Sequence, residues 1–336
     1  MQKIKMKSNR RSFLKKSVAT GVGIGLIQPF QSFGMGRVQN TVKKVGMIGL
    51  DTGHSPAFVK SLNTAMSGEF GNYKVVAAYP RGTENILAWK NRIPEFTAEV
   101  KKHGVEIVDS ISALVDQVDY VILTTIDGNK HLEQVLPVFE AGLPVFIDKP
   151  FAGSIEDARK IAKAAKESGT PMFSSSSLRF LNGAEEIRNG SIGQINGVDA
   201  YSPAHIEEHH PDLFWYGVHG VEILFTLMGT GCKWVERTYT EDTDLVVGMW
   251  NDNRVGTFRG IRKGKGGYGG LVYAEDGIQM LNEFDGYNGL LHEIVKFFDT
   301  KNPPVSIAET LEIFTFMEAA ERSKNGNGKR IFLESV

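Results

Sequence analysis

The chain has 336 residues, with 38 Lys+Arg against 39 Asp+Glu, 41% hydrophobic residues and one cysteine. That length serves about two domains, and the balanced charge argues against global disorder and gives no reason to expect nucleic acid. The lone Cys232 excludes an intramolecular disulfide framework and any multi-cysteine metal or iron–sulfur centre.

The near-neutral total hides an asymmetry. Residues 1–36 carry Lys3, Lys5, Lys7, Arg10, Arg11, Lys15 and Lys16 and no acid, which leaves 31 bases against 39 acids in the rest. An apolar run from Val18 to Phe30 follows the basic stretch and is too short to span a bilayer comfortably. Basic, apolar and small-residue regions in this order describe an export signal. Asn9-Arg10-Arg11-Ser12-Phe13-Leu14-Lys15 resembles the twin-arginine form of it. The expectation is a signal peptide over 1–36, read by the twin-arginine translocation machinery. It implies a periplasmic or otherwise exported protein with no stable membrane anchor after cleavage. A basic tail or a membrane-surface helix is the alternative.

Beyond the signal, short apolar strands alternate with amphipathic helices. Lys44 to Gly49 reads as a strand, Leu50–His54 as its loop, and Ser55-Pro56 as the capped start of a helix with Phe58, Val59 and Leu62 on its apolar face. Tyr73 to Tyr79 is a second strand, ending at the turn Pro80-Arg81-Gly82. Polar helical material runs from there to about His103. Tyr120 to Thr124 is a buried-type strand. Leu132, Val135, Leu136 and Phe139 give the next helix its stripe, which Pro137 should kink or start late. Val145 to Ile147 is a further strand, and Ser154 with Asp157 forms a capping box. The alternation predicts a parallel sheet with helices on both faces. Ligands of such sheets sit at the carboxyl ends of the strands. That rule points to Gly49–His54, Tyr79–Arg81, Thr124–His131 and Asp148-Lys149-Pro150. The first of these loops is an altered dinucleotide fingerprint. Gly49 fits G-x-G-x-x-G, but Asp51 and His54 replace its second and third glycines. A shifted reading uses Gly49 and Gly53 with the helix N-terminus behind Ser55, and a purely structural turn stays open.

The second half predicts strands at Val198–Ala204, Lys233–Thr240, Leu245–Trp250, Val255–Ile261, Gly270–Ala274 and Ile278–Leu281. Helices follow over Asn288–Asp299 and Ser306–Ser323. Arg262 to Gly270 reads as a basic, flexible hairpin, with a lid over an anionic ligand as the alternative.

Asp148-Lys149-Pro150, at a strand end before a capped helix, resembles the Glu-Lys-Pro of the glucose–fructose oxidoreductase / inositol dehydrogenase (Gfo/Idh/MocA) family, with Asp148 in place of Glu. Thr124-Thr125-Ile126-Asp127 through His131 resembles its Thr-Pro-Asn-x-x-His segment, with Ile and Asp replacing Pro and Asn and one extra residue before His. Pro303 through Ala320 resembles its closing helix. The resemblance implies an α/β protein with a Rossmann NAD(P)-binding domain over 37–176. A second α/β domain, with an open and mostly antiparallel sheet that often serves homo-oligomerisation, would cover 177–336. It also implies NAD or NADP bound near Lys149. With the strand-end loops, the expected contacts are Gly49, Asp51, Gly53, His54, Ser55, Arg81, Thr124, Thr125, Asp127, His131, Asp148, Lys149 and Pro150. An exported protein without a free nicotinamide pool should hold the cofactor tightly.

Hydride transfer to or from an alcohol needs a proton acceptor and a partner for the developing alkoxide. Lys149 and His219 are the catalytic candidates, and each has a bland counterpart as a surface lysine or a satisfied core histidine. The family carries an Asp four residues before that His, whereas this chain has Trp215, with Glu222 where a later acid is usual. Arg179, His205, His209, Tyr216 and His219 are the substrate candidates, since carbohydrates need dense hydrogen bonding and aromatic faces. The cluster from His205 to Asp212 matches no standard metal spacing, and no metal is assigned. The expected function is an exported NAD(P)-dependent oxidoreductase acting on a carbohydrate or polyol-like small molecule. The alternatives are a redox-assisted glycosidase or lyase and a non-catalytic carbohydrate-binding relative.

Overall fold

The computed structural model describes residues 41–65 and 69–336, so the expected signal lies outside the described residues. The first half alternates β1 (Lys43–Ile48), α1 (His54–Thr64), β2 (Tyr73–Tyr79), α2 (Leu87–Lys90), α3 (Ile93–Lys101), β3 (Glu106–Ile107) and α4 (Ile111–Val115). It continues with β4 (Tyr120–Leu123), α5 (His131–Glu140), β5 (Val145–Asp148), α6 (Ile155–Ser168) and β6 (Met172–Ser175). The strands are all parallel, in the order β3-β2-β1-β4-β5-β6. Val121–Leu123 and Val145–Ile147 are wholly buried because helices cover both faces of the sheet. Apolar residues of α1 and α3 pack on one face, and those of α4, α5 and α6 on the other.

The local signals hold in part. Ser154 Oγ accepts the Asp157 N–H at 3.1 Å and opens α6 as its capping box predicts. Ser55 does not cap α1. The cap is Gly53, with no side-chain bond, and Ser55 Oγ instead donates to the Gly49 carbonyl at 2.9 Å. Pro137 sits inside α5, which runs on to Glu140, and Val138 rather than Leu136 takes the buried position.

The second half contains α7 (Ala184–Arg188), β7 (Ile195–Pro203), a π-helical turn (Leu213–Gly217), α8 (Val218–Met228), β8 (Cys232–Tyr239), β9 (Thr243–Trp250) and β10 (Val255–Ile261). After these come β11 (Gly269–Ala274), β12 (Gly277–Leu281), α9 (Asn288–Thr300), α10 (Ile307–Asn325) and β13 (Ile331–Phe332). Its sheet has the order β12-β11-β7-β10-β9-β8-β13 and is antiparallel except for the β7–β10 pair.

Two helices join the halves. Every residue of α8 is buried: one side lies on β7 and β10, the other meets the turn after β6 and α10. A helix apolar all round must be internal, and this one carries His219 and Glu222 to the junction. Helix α9 returns to the first sheet, where Phe297 meets Phe173 and Phe298 meets Tyr73 and Tyr120. No helix among the described residues is long and apolar enough to cross a membrane.

Candidate functional site

The carboxyl edge of the first sheet is drawn together by its own loops. Gly49 has φ 86°, and a Cβ there would lie 2.5 Å from the Thr125 backbone nitrogen. Only glycine lets the loops after β1 and β4 approach so closely. Thr124 Oγ1 donates to the Gly49 carbonyl at 2.8 Å and lies 3.1 Å from Ser55 Oγ, which fixes the same junction.

Asp51 accounts for the altered fingerprint. Its carboxylate is fully buried and accepts the N–H of Thr83 at 2.6 Å and of Ile126 at 3.0 Å. It therefore fastens the loop after β2 to the loop after β4. Burial pushes its pKa up to about 6, against the pull of those backbone hydrogen bonds. A second tie runs beside it. Thr83 Oγ1 donates to Asp127 Oδ2 at 3.1 Å, and Asp127 also accepts the Asn129 N–H and faces His210 Nε2 at 3.3 Å. Burial would raise Asp127, but His210 and Asn129 outweigh it and hold the carboxyl at about 2. Gln134 Nε2 donates to the Arg81 carbonyl at 3.2 Å, and Thr125 Oγ1 donates to Gln134 Oε1 at 2.7 Å. His131 is wholly buried, with its ring nitrogens at the Thr125 and Phe151 carbonyls, and burial lowers its pKa.

These bonds engage most of the polar side chains in the expected cofactor set. Asp51, Ser55, Thr124, Thr125, Asp127 and His131 spend their side chains on one another or on backbone, and so shape the loops. Arg81 is exposed. Gly53, His54 and Lys149 are the members that reach a cavity of about 300 Å³ at the junction of the two halves. Lys149 stands at the end of β5 before a cis Pro150, and Nζ has no hydrogen bond among the described residues. Asp148 beside it takes His54 Nδ1 at 2.5 Å and the Lys149 N–H at 2.8 Å. Burial would raise Asp148, but His54 and Lys149 prevail and its pKa is lowered.

The opposite wall comes from the second half. His219 enters from α8 and Tyr216 from the π-helical turn, the kind of irregularity that often marks a functional site. His219 Nδ1 lies 2.7 Å from Ser176 Oγ. Its pKa falls well below the ordinary value, chiefly through burial and then through Lys149 and His54, so it is a neutral imidazole at pH 7 and a poor acid. Ser177 also lines the cavity, and its buried hydroxyl has no partner.

The other substrate candidates lie elsewhere. Arg179 is buried against Glu222 and Glu309 and borders a larger groove of about 630 Å³, which contains neither Lys149 nor His219. Its guanidinium is consumed by two carboxylates. His205 is exposed with its ring against Tyr216, and His209 is exposed and pairs with Glu207 at 2.8 Å. Trp215 stacks near His210 and joins Ile86 and Ile126 in an apolar cluster, so the position of the family's Asp is dry. Asp212 is held by Arg237 at 2.7 Å and by Lys324. Cys232 is buried, its thiol pushed up to about 12 by burial, and serves as a structural residue.

The sequence reading missed Trp89, Tyr268, Phe284 and Tyr287, which supply most of the aromatic surface. Tyr268 had one signal, as the only aromatic in the basic glycine-rich hairpin. The others come from separate elements and share no spacing.

The residues fit the nicotinamide end of a dinucleotide. A Cβ on Gly53 would meet nothing within 4 Å, Gly53 as the N-cap of α1 brings no side chain there, and Lys149 and Ser177 offer unpaired polar groups. The backbone at Gly53 would receive the pyrophosphate, and Lys149 would stand beside the nicotinamide. At the other end of such a group, the Asp51 tie joins the loops after β2 and β4.

Comparison with known proteins agrees with this architecture. Residues 43–175 match the Gfo/Idh/MocA family, described as "Oxidoreductase family, NAD-binding Rossmann fold". The first sheet thus lies within the segment that is similar to the NAD-binding module of that family. Among curated proteins, the chain is 30% identical over 165 residues to an uncharacterized oxidoreductase of Streptococcus pneumoniae serotype 4, covering 44% of each. It is 32% identical over 135 residues to a 1,5-anhydro-D-fructose reductase of Ensifer adhaerens, covering 38% of this chain and 40% of that one. The chain spans under half the length of these relatives. In structure it resembles scyllo-inositol dehydrogenase from Lactobacillus casei, solved with NAD(H) and scyllo-inositol, with a TM-score of 0.70 and 14% identity over 88% of this chain and 100% of that one. The Lactobacillus casei myo-inositol dehydrogenase, in complex with NAD(H) and myo-inositol, gives 0.68 and 17% over 87% and 97%. At that identity the likeness establishes the fold of both halves.

Proposed function

We propose that the protein is an NAD(P)-dependent oxidoreductase acting on a carbohydrate or polyol-like alcohol or carbonyl in the cavity between its halves, and that it works outside the cytoplasm. One observation carries this reading: Lys149 offers an unpaired cation at the ligand-bearing end of β5, facing His219 and an aromatic wall. A nicotinamide, when bound, exchanges a hydride with the alcohol carbon. The chain's own residues orient the sugar against Trp89, Tyr216, Tyr268 and Tyr287, and Lys149 stabilises the alkoxide. Buried and neutral, His219 orients a ligand hydroxyl rather than supplying a charged acid.

Export rests on the basic, apolar and twin-arginine pattern of residues 1–36. In an envelope compartment without a free nicotinamide pool, the cofactor would be held on the protein. The open face of the second sheet, where Ile278 and Met280 are exposed, would serve a homo-oligomer. Mass spectrometry of the purified folded protein tests the cofactor: NAD or NADP is expected to co-purify. No nucleotide, together with no binding in titration, refutes the reading. The Asp51 tie favours a second one, a carbohydrate-binding relative that has given up the dinucleotide. Titration with a polyol alone separates the two, because only the second predicts binding that is indifferent to nucleotide.

A further inference from the structure

We propose that His54 and Asp148 form the proton-accepting dyad of the cavity, with His54 Nε2 taking the hydroxyl proton of the bound alcohol. The proposal rests on the oxidoreductase reading and names the group that performs its proton transfer.

His54 occupies the place of the fingerprint's third glycine. Its ring is held on three sides: Nδ1 at 2.5 Å from Asp148 Oδ2, Phe58 stacked at 5.5 Å between centroids, and Tyr287 edge-on at 4.7 Å. Asp148 is almost wholly buried, and its second oxygen accepts the Lys149 N–H at 2.8 Å, so the carboxylate is fixed at both ends. An ionised carboxylate only accepts, so Nδ1 carries the proton and the lone pair of the neutral ring lies on Nε2. Nε2 has no hydrogen bond among the described residues, and His54 lines the cavity with Lys149 and His219. A carboxylate that orients an imidazole and stabilises the imidazolium it becomes is a recurrent arrangement for a general base.

The alternative base lacks that support. His219 has a serine at Nδ1 rather than a carboxylate. Trp215 stands one helical turn before it, and Glu222, one turn later, is committed to Arg179 and Ser175. An imidazolium formed at His219 would be buried with no counter-ion, which is costly.

The step balances. Oxidation of a secondary alcohol breaks its C–H and O–H bonds: the hydride goes to oxidised nicotinamide and the proton to His54 Nε2, leaving a carbonyl. Lys149 faces the developing oxygen charge. The titratable groups facing His54 are Asp148 from β5, Lys149 after it, His219 from α8 and Tyr287 before α9.

The test compares wild type with His54→Gln and Asp148→Asn, using protein labelled with ¹⁵N at the histidine rings. Wild type is expected to show one imidazole, absent in His54→Gln, with a protonated Nδ1 and a bare Nε2. In Asp148→Asn the carboxamide can donate as well as accept, and that tautomer loses its preference. With NAD⁺ and myo-inositol as probes, His54→Gln should lower kcat by about 10²–10⁴-fold. It should also leave KM for NAD⁺ little changed. A protonated Nε2 at His54 in wild type, or an unaltered kcat in His54→Gln, overturns the proposal. If wild type oxidises no polyol with either dinucleotide, the oxidoreductase reading fails, and the imidazole signature still decides the dyad.

Discussion

The burial of Asp51 makes a quantitative prediction about pH. Its carboxyl titrates near 3.8 when exposed and at about 6 in the folded protein, because burial outweighs the hydrogen bonds from Thr83 and Ile126. Between those values the native state binds more protons than the unfolded one, so the unfolding free energy falls as pH rises through the window. A shift of two units corresponds to about 3 kcal/mol, fully lost above pH 6. Asp51→Asn removes the titration while keeping one acceptor for the loop ties. Denaturant unfolding at pH 4, 5, 6 and 7 should therefore show the wild-type-minus-variant difference becoming less favourable to wild type by about 2 kcal/mol across the series, since part of the effect lies below pH 4. Other carboxylates, such as Asp127 and Asp148, titrate in both proteins and cancel in that difference. Parallel pH profiles for the two proteins would refute the claim that Asp51 is buried and ionised at neutral pH.

Four further outcomes can be measured, the first three from the same geometry. Asp51→Gly restores the fingerprint's second glycine and frees Thr83 from its tie, so NAD⁺ should bind more tightly than to wild type in calorimetric titration. Equal affinity would mean that the tie does not guard the adenosine end. Gly49→Ala forces a left-handed φ of 86° on a side chain that overlaps the Thr125 backbone, and should cost about 3 kcal/mol in denaturant unfolding. Arg179→Met leaves Glu222 and Glu309 facing each other without their cation, which should cost about 3–5 kcal/mol. Burial already holds Glu222 above its ordinary pKa, so that loss should be smaller at pH 5 than at pH 8. Replacing both Arg10 and Arg11 with Lys should leave the protein in the cytoplasm upon fractionation, and unchanged export would exclude the twin-arginine route.

Much of the architecture was legible in the chain because it rests on local physics. Val121–Leu123 and Val145–Ile147 declare a sheet covered on both faces, and Ser154 caps the helix it was read to open. The position of Lys149 at the end of a strand beside the cavity was legible too. Other outcomes depended on what lay opposite a residue in space. Nothing near Asp51 in sequence says that its carboxylate would find the Thr83 and Ile126 amides, or that Glu222 and Glu309 would consume Arg179. His54 looked like a damaged glycine position until β5 placed Asp148 beside it and Tyr287 packed on its edge. The aromatic wall of the cavity comes from α2, the hairpin before β11 and the approach to α9, elements with no shared period. Sequence alone therefore determined most of the strands and the longer helices, though not β6 or α8, and the sheet edge at which the candidate site gathers. The tertiary structure decided which polar side chains still face that ligand, because a buried polar group remains available only where no other part of the chain satisfies it first.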